Sequence, residues 1–231
     1  MIDHVAETGS TNADLILAAG AEAAEGTWLR ADRQTAGRGR HGRSWSSPPG
    51  NLFASTIVRP RSGDPAAETL ALVAGIAMVD VARVWASDAA PQLLLKWPND
   101  VLAGGAKLAG ILLERAGEAV VIGFGANLAH HPQDIDRAAT SLVTLAGIAP
   151  DPALFLDDLA DALARWLRIW REQGLEPIRR GWMAAAHPIG TALVVSGREG
   201  LFDGLDADGA LRLRRADGAI EHIRAGEVFL L

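Results

Sequence analysis

Arginine and glycine alternate in the segment from Arg33 to Asn51, and this segment limits most sharply what the chain can fold into. No Asp or Glu occurs between Arg33 and Gly63, although the whole chain has a net charge of -6. Glycine allows backbone conformations in which successive N–H groups converge on one anion, and the arginine guanidinium adds several N–H donors in a fixed planar arrangement. The pattern predicts a loop that holds a phosphate or a carboxylate. A solvated surface loop kept soluble by its arginines is the alternative.

The residues from Gly37 to Gly42 also fit the G-x-G-x-x-G pattern of dinucleotide-binding folds. Such a fold needs a helix that opens at the glycines, so that its N-terminus meets the pyrophosphate. Pro48 and Pro49 follow too closely for that helix to form. We therefore exclude a Rossmann domain and expect an irregular loop between two strands, Thr27 to Gln34 and Asn51 to Val58.

Composition narrows the class of protein. The length of 231 residues suits one medium domain, or a main domain with a small appendage. The absence of Cys excludes disulfides and thiolate metal sites, and the N-terminus lacks the features of a signal peptide. Asp80 and Arg83 interrupt the longest apolar run, Leu70 to Ala86, at helical spacing, which predicts a core helix and no membrane span. We expect a cytoplasmic protein.

The hydrophobic pattern changes near His187. Before it, Pro152 to Gln173 has apolar residues at helical spacing, with its tryptophans predicted in the core, and a second helix is expected near Glu176 to Ala185. After it come short strands separated by Asp-Gly turns, which predict a small β-barrel. We therefore predict two domains, residues 1–186 and residues 187–231.

Several shorter features are also predictable. Ser10 or Thr11 is a plausible cap for an apolar helix that follows, and a hairpin is expected around Gly117. Asn99 and Asp100 are typical turn residues after a buried strand. Gly104 to Gly110 predicts a second, flexible turn.

Only two lysines occur among the 22 basic residues, Lys96 and Lys107, so each lysine is a candidate for a specific role. The chain contains no P-loop, no G-x-S-x-G, no H-E-x-x-H and no convincing zinc spacing among its histidines. Arginines, two lysines, amides and glycine loops suit electrostatic stabilisation and positioning better than covalent catalysis. This inventory fits a nucleotide-activating transferase.

Five motifs in order and spacing resemble those of the biotin protein ligases, and the resemblance extends over nearly the whole chain. They are Ser10-Thr11-Asn12, Gln34-x-x-Gly37-Arg38-Gly39-Arg40-x-Gly42-Arg43-x-Trp45, Lys96-Trp97-Pro98-Asn99-Asp100, Lys107-Leu108-Ala109-Gly110-Ile111-Leu112-Leu113-Glu114 and Gly123-x-Gly125-x-Asn127. The resemblance implies an α/β (α+β) fold, with a mixed-sheet catalytic domain of the biotin/lipoate ligase type and a small C-terminal SH3-like β-barrel.

The resemblance also implies a reaction in two steps. Biotin and ATP, with Mg²⁺, first give biotinyl-5'-AMP and pyrophosphate. The biotinyl group then passes to a lysine of the biotin carboxyl carrier protein or domain of acetyl-CoA carboxylase or a related carboxylase. The first motif begins at Ser10, which leaves no room for the N-terminal DNA-binding domain of some relatives, so no DNA binding is expected. A homodimer formed through sheet edges is possible.

The resemblance assigns residues to each part of the site. Lys107 and Arg40 are expected to be catalytic, because they neutralise the repulsion between a carboxylate and a phosphate. No metal-ligating side chain is predicted. The biotin-binding residues are expected to be Ser10, Thr11, Asn12, Gln34, Gly37, Arg38, Gly39, Arg40, Lys107 and Gly110. The ATP- and adenylate-binding residues are expected to be Arg40, Arg43, Trp45, Lys96, Asn99, Lys107 and Asn127.

Two alternatives remain. A lipoate or octanoyl ligase has a related catalytic domain, although the Gly-Arg-Gly-Arg-x-Gly-Arg pattern and the barrel favour biotin. A nucleic-acid-binding module that uses the arginine loop and the barrel belongs to a different class. Such a module should bind nucleic acid in a salt-dependent manner and should not catalyse biotin-dependent ATP–pyrophosphate exchange.

Overall fold

The computed structural model describes residues 2–88, 91–133 and 137–230, which form two sheets and five α-helices. The first sheet contains β1 (Ile2–Thr8), β2 (Trp28–Gln34), β3 (Leu52–Val58), β4 (Leu93–Lys96), β5 (Asp100–Ala103), β6 (Ala106–Ala116) and β7 (Ala119–Ala126). The second sheet contains β8 (Ala192–Val195), β9 (Arg198–Leu205), β10 (Leu211–Arg214), β11 (Ile220–Ile223) and β12 (Val228–Leu230). The helices are α1 (Thr11–Gly20), α2 (Leu70–Trp85), α3 (Leu142–Ala146), α4 (Pro152–Gln173) and α5 (Leu175–Ala184).

The first sheet is mixed, as predicted. Its strand order is β1-β2-β3-β7-β6-β5-β4, and only the β1–β2 pair is parallel. Helix α1 makes the crossover between these two parallel strands, and its predicted cap is confirmed because the Ser10 hydroxyl accepts a hydrogen bond from the N–H of Ala13. The sheet therefore places the start of α1 beside the end of β2, where the loop between β2 and β3 begins (residues 35–51, here called the Gly/Arg loop).

The main core lies between this sheet and the helices α2, α4 and α5. All seven residues of the inner strand β3 are buried, and the aliphatic face of α2 packs against the sheet. Trp170 and Trp182 are almost fully buried, and the indole N–H of Trp170 donates to the hydroxyl of Thr69 at 2.8 Å. The prediction that the tryptophans of α4 belong to the core is confirmed for Trp170, while Trp166 packs against the core from its edge.

The second sheet is antiparallel, with the order β11-β10-β9-β8-β12. It matches the predicted run of short strands, and Gly209 and Gly218 adopt positive φ in its two Asp-Gly turns. The Trp182 ring on α5 packs edge-on against Phe202 of β9, with 6.3 Å between the ring centroids. The two sheets thus share one core. The division of the chain between residues 186 and 187 stays a prediction.

Two local predictions are wrong. The segment from Gly104 to Gly110 is not a flexible turn, because the turn is limited to Gly104 and Gly105, and Lys107 already lies in β6. The N–H of Lys107 also donates to the carbonyl of Ala138, which fixes the backbone further. Asp100 is not a turn residue but a buried residue of β5, with 7% of its surface exposed.

Within the described ranges, no helix is both long and apolar enough to cross a membrane.

Candidate active site

A cavity of about 470 Å³ lies between the Gly/Arg loop, the start of α1, strands β6 and β7, and the end of the second sheet. The structure brings fourteen of the fifteen predicted site residues to its walls. They are Ser10, Thr11, Asn12, Gln34, Arg38, Gly39, Arg40, Arg43, Trp45, Lys96, Asn99, Lys107, Gly110 and Asn127. Gly37 is the predicted residue that does not line the cavity.

The Gly/Arg loop is held by its own backbone. The N–H of Gly39 donates to the carbonyl of Arg43 at 2.7 Å, and the N–H of Trp45 donates to the carbonyl of Gly37 at 2.9 Å. A single 3-10 turn, Arg40–Gly42, stands where a dinucleotide-binding fold would have a helix, and His41 in that turn has a φ of +57°. The exclusion of a Rossmann domain from the prolines is thereby confirmed.

Gly37 is buried beneath the loop. A Cβ atom at this position would lie 2.8 Å from both the hydroxyl oxygen of Ser47 and the carbonyl oxygen of Trp45. A side-chain carbon cannot lie so close to these oxygen atoms. Only glycine therefore lets the two segments of the loop approach each other here. Gly37 contributes close packing and not a cavity wall.

One end of the cavity consists of neutral hydrogen-bonding groups. Gln34 Oε1 accepts from the N–H of Thr11 at 2.9 Å, and the Thr11 hydroxyl lies 2.7 Å from the hydroxyl of Ser55. The Ser55 hydroxyl donates in turn to Asn12 Oδ1 at 2.6 Å. These groups give the end of the cavity fixed donors and acceptors without charge.

Asn12 is fixed from its other side by two residues that the site predictions missed or left without a role. Its Nδ2 donates to a carboxylate oxygen of Glu114 at 2.7 Å. A Cβ atom at Gly123 would lie 2.2 Å from Asn12 Oδ1, so the amide packs directly against the bare backbone of β7. Ser55 carried no sequence signal, because a serine inside an apolar strand is not distinctive.

The other end of the cavity is charged and is centred on Asp100. Its two carboxylate oxygens bind the two lysines of the chain, with Lys107 Nζ at 2.6 Å and Lys96 Nζ at 3.1 Å. Burial by itself raises the pKa of the Asp100 carboxyl, but the charges of Lys107 and Lys96 outweigh burial and hold that pKa below its usual value. The carboxylate is therefore ionised and keeps both ammonium groups at the cavity.

Arg40 lies over the same region, half-buried. Its Nη1 donates to Asn99 Oδ1 at 3.3 Å, and Asn99 Nδ2 donates to the carbonyl of Ile111 at 2.6 Å. Burial lowers the pKa of the Arg40 guanidinium from its usual value, although arginine stays charged at neutral pH. Among the described residues, no carboxylate lies within ion-pair distance of Arg40 or of the exposed Arg38, so both cations are available to an anion.

Trp45 lies flat against two facing glycines in the middle of the cavity. A Cβ atom at Gly125 would lie 2.6 Å from the indole ring, and one at Gly110 would lie 3.2 Å from it. Lys107 Nζ is 5.2 Å from the ring centroid, within cation–π range. The indole N–H is buried and has no hydrogen-bond partner within the described part of the chain.

Strand β7 explains the spacing of the Gly123-x-Gly125-x-Asn127 motif. Residues two apart share one face of a strand, and Gly123 supports Asn12 while Gly125 supports Trp45. Asn127 follows at the charged end, where its Nδ2 donates to the carbonyl of Thr140 at 3.0 Å. At about 3.4 Å per residue these three positions span roughly 14 Å. The strand therefore runs along the cavity from its neutral end to its charged end, with Asn12, Trp45 and Asn127 placed one after another beside it.

The end of the second sheet closes the charged side of the cavity. Glu227 forms a bidentate ion pair with Arg43, in which Arg43 Nη2 lies 2.7 Å from Glu227 Oε2. Its other oxygen, Oε1, lies 2.6 Å from Arg137 Nη2. Hydrogen bonds and charge from Arg43 and Arg137 lower the pKa of the Glu227 carboxyl to about 2. The sequence predictions gave neither Glu227 nor Arg137 a role in the site, because neither belongs to one of the five motifs that indicated the site residues.

Within the described part of the chain, the residues that line the cavity supply six cationic side chains and two carboxylates. The cations are Arg38, Arg40, Arg43, Lys96, Lys107 and Arg137, and the carboxylates are Asp100 and Glu227. Each carboxylate already holds two cations. No group of three or more potential metal-ligating side chains exists within the described ranges. The arrangement can hold an extended molecule with a neutral polar head and several negative charges at its other end.

Two protein-family models match most of this chain and identify the class of protein to which it belongs. Residues 11–127 match the model of the biotin/lipoate A/B protein ligase family, and residues 196–231 match the model of the biotin protein ligase C-terminal domain. The first match covers the Gly/Arg loop and strands β2 to β7, which build most of the cavity.

Individual relatives define the family further. The chain is 41% identical over 240 aligned residues to a biotin--[acetyl-CoA-carboxylase] ligase of Paracoccus denitrificans, with 97% of this chain and 98% of the relative covered. The structure is similar to that of a biotin protein ligase from Aquifex aeolicus in complex with biotin and ATP, with a TM-score of 0.87, 27% identity and coverage of 100% and 98%. It is also similar to a Leishmania major biotin protein ligase in complex with biotinyl-5-AMP, with a TM-score of 0.69, 27% identity and coverage of 97% and 98%. This chain belongs to the biotin protein ligases.

Proposed function

We propose that this ligase activates biotin with ATP as biotinyl-5'-AMP and transfers the biotinyl group to a lysine of a biotin carrier domain of a carboxylase. The single observation that carries the proposal is the order of groups along one cavity. A neutral hydrogen-bonding end suits a ureido head, and a cationic end suits a carboxylate and phosphates. Trp45 lies between the two ends.

The neutral end is proposed to bind the head group of biotin. Ser10, Thr11, Asn12 and Gln34 offer hydroxyl and amide groups, and a ureido group presents N–H donors and a carbonyl acceptor. Because the hydrogen-bond network behind these residues is complete, their orientations are set before the ligand arrives. Pre-organised partners reduce the entropy lost on binding.

In the first step, a carboxylate oxygen of biotin is proposed to attack the α-phosphorus of ATP. A bond forms between that oxygen and the phosphorus, the bond between the phosphorus and the bridging oxygen to the β-phosphate breaks, and pyrophosphate leaves with the electron pair. Lys107 and Arg40 are proposed to neutralise the two anions as they approach. No side chain of the enzyme acts as a nucleophile.

In the second step, the neutral amine of the acceptor lysine is proposed to attack the acyl carbon of the mixed anhydride. An amide bond forms, the bond between the acyl carbon and the phosphate oxygen breaks, AMP leaves with the electron pair on that oxygen, and the proton released by the amine passes to water. The enzyme supplies proximity and charge in this step. The Gly/Arg loop is proposed to keep water away from the anhydride until the acceptor arrives.

ATP is proposed to enter as its Mg²⁺ complex, so the ion counts as part of the substrate. Asp100 and Glu227, the carboxylates that line the cavity among the described residues, are both occupied by cationic side chains. Oxygens of the triphosphate and water therefore provide the ligands that suit Mg²⁺. Homodimer formation and the absence of DNA binding stay predictions from the sequence.

The proposal is tested by mixing the protein with biotin and ATP and following biotin-dependent ATP–pyrophosphate exchange. We expect exchange with biotin, little exchange with lipoate or octanoate, and biotinyl-AMP retained by the protein. A purified biotin carrier domain should then acquire one biotinyl group on a lysine. Exchange that depends on lipoate or octanoate and not on biotin would support the related ligase instead. Absence of exchange with all three acids would refute the proposed function.

A further inference from the structure

We propose that Arg137 binds the phosphates of the nucleotide, and that Glu227 of the second sheet holds Arg137 in place for that contact. This inference rests on the proposed function and extends the nucleotide site to a residue outside the matched motifs. It also gives the second sheet a direct part in substrate binding.

Arg137 lies on the same side of the cavity as Lys107. Its side chain lines the cavity at the charged end, and the next residue in the chain, Ala138, accepts a hydrogen bond from the N–H of Lys107 at 2.8 Å. The neutral head-group end lies further along β7, near Gly123. An anion held by Lys107 therefore lies on the side of the cavity that Arg137 faces.

Glu227 and Phe229 hold the guanidinium of Arg137 in place. Its Nη2 binds a Glu227 carboxylate oxygen at 2.6 Å, and its guanidinium carbon lies 4.5 Å from the centroid of the Phe229 ring. Phe229 lies in β12, and Glu227 immediately precedes that strand. A guanidinium has five N–H donors, so the contact with Glu227 leaves several of them free. The second sheet thus fixes the guanidinium without using up its donors.

Two arginines share the carboxylate of Glu227. Glu227 binds Arg43 as well as Arg137, and it places two guanidinium groups side by side at the cavity. Two like charges repel each other, so the pair needs either this carboxylate or an added anion between them. Phosphate groups accept several such forked donors at once. An oligophosphate is therefore the ligand class that fits the pair.

The charge of the site supports a nucleotide over a singly charged ligand. Among the described residues lining the cavity, six cationic side chains and two carboxylates leave a net charge of +4. The biotin carboxylate brings one negative charge, whereas a triphosphate brings about four. Arg137 adds a cation on the side where the triphosphate is proposed to lie.

The experiment compares Arg137→Ala, Arg137→Lys and Glu227→Gln with the unmodified protein in biotin-dependent ATP–pyrophosphate exchange. We expect Arg137→Ala to raise KM for ATP about tenfold or more, because a charge-assisted hydrogen bond to phosphate is lost. The KM for biotin and the melting temperature should stay unchanged, and Arg137→Lys should recover part of the loss. Glu227→Gln should also raise KM for ATP, and less so when Arg137 is already alanine.

Glu221→Gln is the matched control. Glu221 also lies in the second sheet and also pairs with two arginines, Arg198 and Arg215, but it does not line the cavity. We expect its KM for ATP to equal that of the unmodified protein. An equal rise in KM in Glu221→Gln and Glu227→Gln would show a general effect of the second sheet and overturn the inference.

Two further outcomes separate this inference from the proposed function. If Arg137→Ala leaves KM for ATP unchanged and slows only transfer to the carrier domain, Arg137 contacts the acceptor and the inference is wrong, while the proposed function stands. If the unmodified protein shows no biotin-dependent exchange, the proposed function itself fails, and the inference fails with it.

Discussion

The ammonium group of Lys107 lies 2.6 Å from a carboxylate oxygen of Asp100, and Lys96 binds the second oxygen of the same carboxylate at 3.1 Å. Both lysines of a chain that otherwise uses arginine thus meet at one buried acid. The register of β4 and β5 pairs Lys96 with Asp100, and the adjacent strand β6 brings Lys107. One carboxylate therefore fixes the positions of two positive charges at the charged end of the cavity.

Replacing Lys107 by alanine should slow adenylate formation by about 100-fold or more, because the charge that offsets the approach of two anions is lost. Biotin binding should change little, since the neutral end of the cavity remains intact. Biotin-dependent ATP–pyrophosphate exchange and calorimetric titration with biotin measure the two effects. Arg198→Ala removes a cation that pairs with Glu221 outside the cavity and serves as a control. An unimpaired exchange rate in Lys107→Ala would exclude this role.

Arg40→Ala should let biotinyl-AMP escape faster. Arg40 is half-buried, and its guanidinium has no carboxylate partner within the described residues, so a bound phosphate is its natural partner. Release of labelled biotinyl-AMP from the preloaded protein measures the effect, and we expect at least a tenfold faster rate. Arg33→Ala is the control, because Arg33 belongs to the same segment but pairs with Glu7 on the surface. Retention equal to that of the unmodified protein would contradict the assignment.

Gly123→Ala should weaken biotin binding specifically. The added Cβ atom would lie 2.2 Å from Asn12 Oδ1, and the buried amide cannot move without breaking its hydrogen bond with Ser55. We expect KM for biotin to rise about tenfold or more with a smaller change in KM for ATP. Gly20→Ala is the matched control, because a Cβ atom there meets nothing within 4 Å. Equal KM values for biotin in the two variants would show that the network behind Asn12 does not affect binding.

An ion pair far from the cavity should set part of the dependence of stability on pH. Glu25 accepts two hydrogen bonds from Arg171, each 2.7 Å long, and these lower the pKa of the Glu25 carboxyl from 4.5 to about 2. The folded protein therefore favours the ionised carboxylate. The resulting stabilisation is complete above pH 4.5 and is lost as the pH falls from about 4.5 towards about 2.

Glu25→Gln should therefore lower the free energy of unfolding by about 2 kcal/mol at pH 7, because Arg171 loses its two short contacts with a carboxylate and is left with the 3.3 Å ion pair with Asp64. The difference from the unmodified protein should shrink at pH 3.5. Urea unfolding at the two pH values measures it. Glu7→Gln breaks an exposed pair with Arg33 and should change stability by less than about 0.5 kcal/mol. An equal loss at both pH values would contradict the link to the ionisation of Glu25.

Local patterns in the sequence were enough to predict most elements of the fold. The strands around the Gly/Arg loop, the helix Pro152–Gln173 and the short strands of the second sheet follow from periodicity and turn residues. The two errors, at Lys107 and Asp100, have one origin. Each was assigned to a turn from its neighbours in the chain, whereas strand pairing and burial decide its environment.

The chain by itself determined which chemical groups are present and which motif each belongs to. The order and spacing of five motifs indicated the candidate site residues, and the prolines excluded a helix at the Gly/Arg loop. Only the tertiary structure decided which groups share a charge or a hydrogen bond. Asp100 with Lys107, and Glu227 with Arg43 and Arg137, are separated in the chain and meet only through sheet packing. Electrostatic contacts depend on distance in space and on burial, and neither can be read from spacing along the chain.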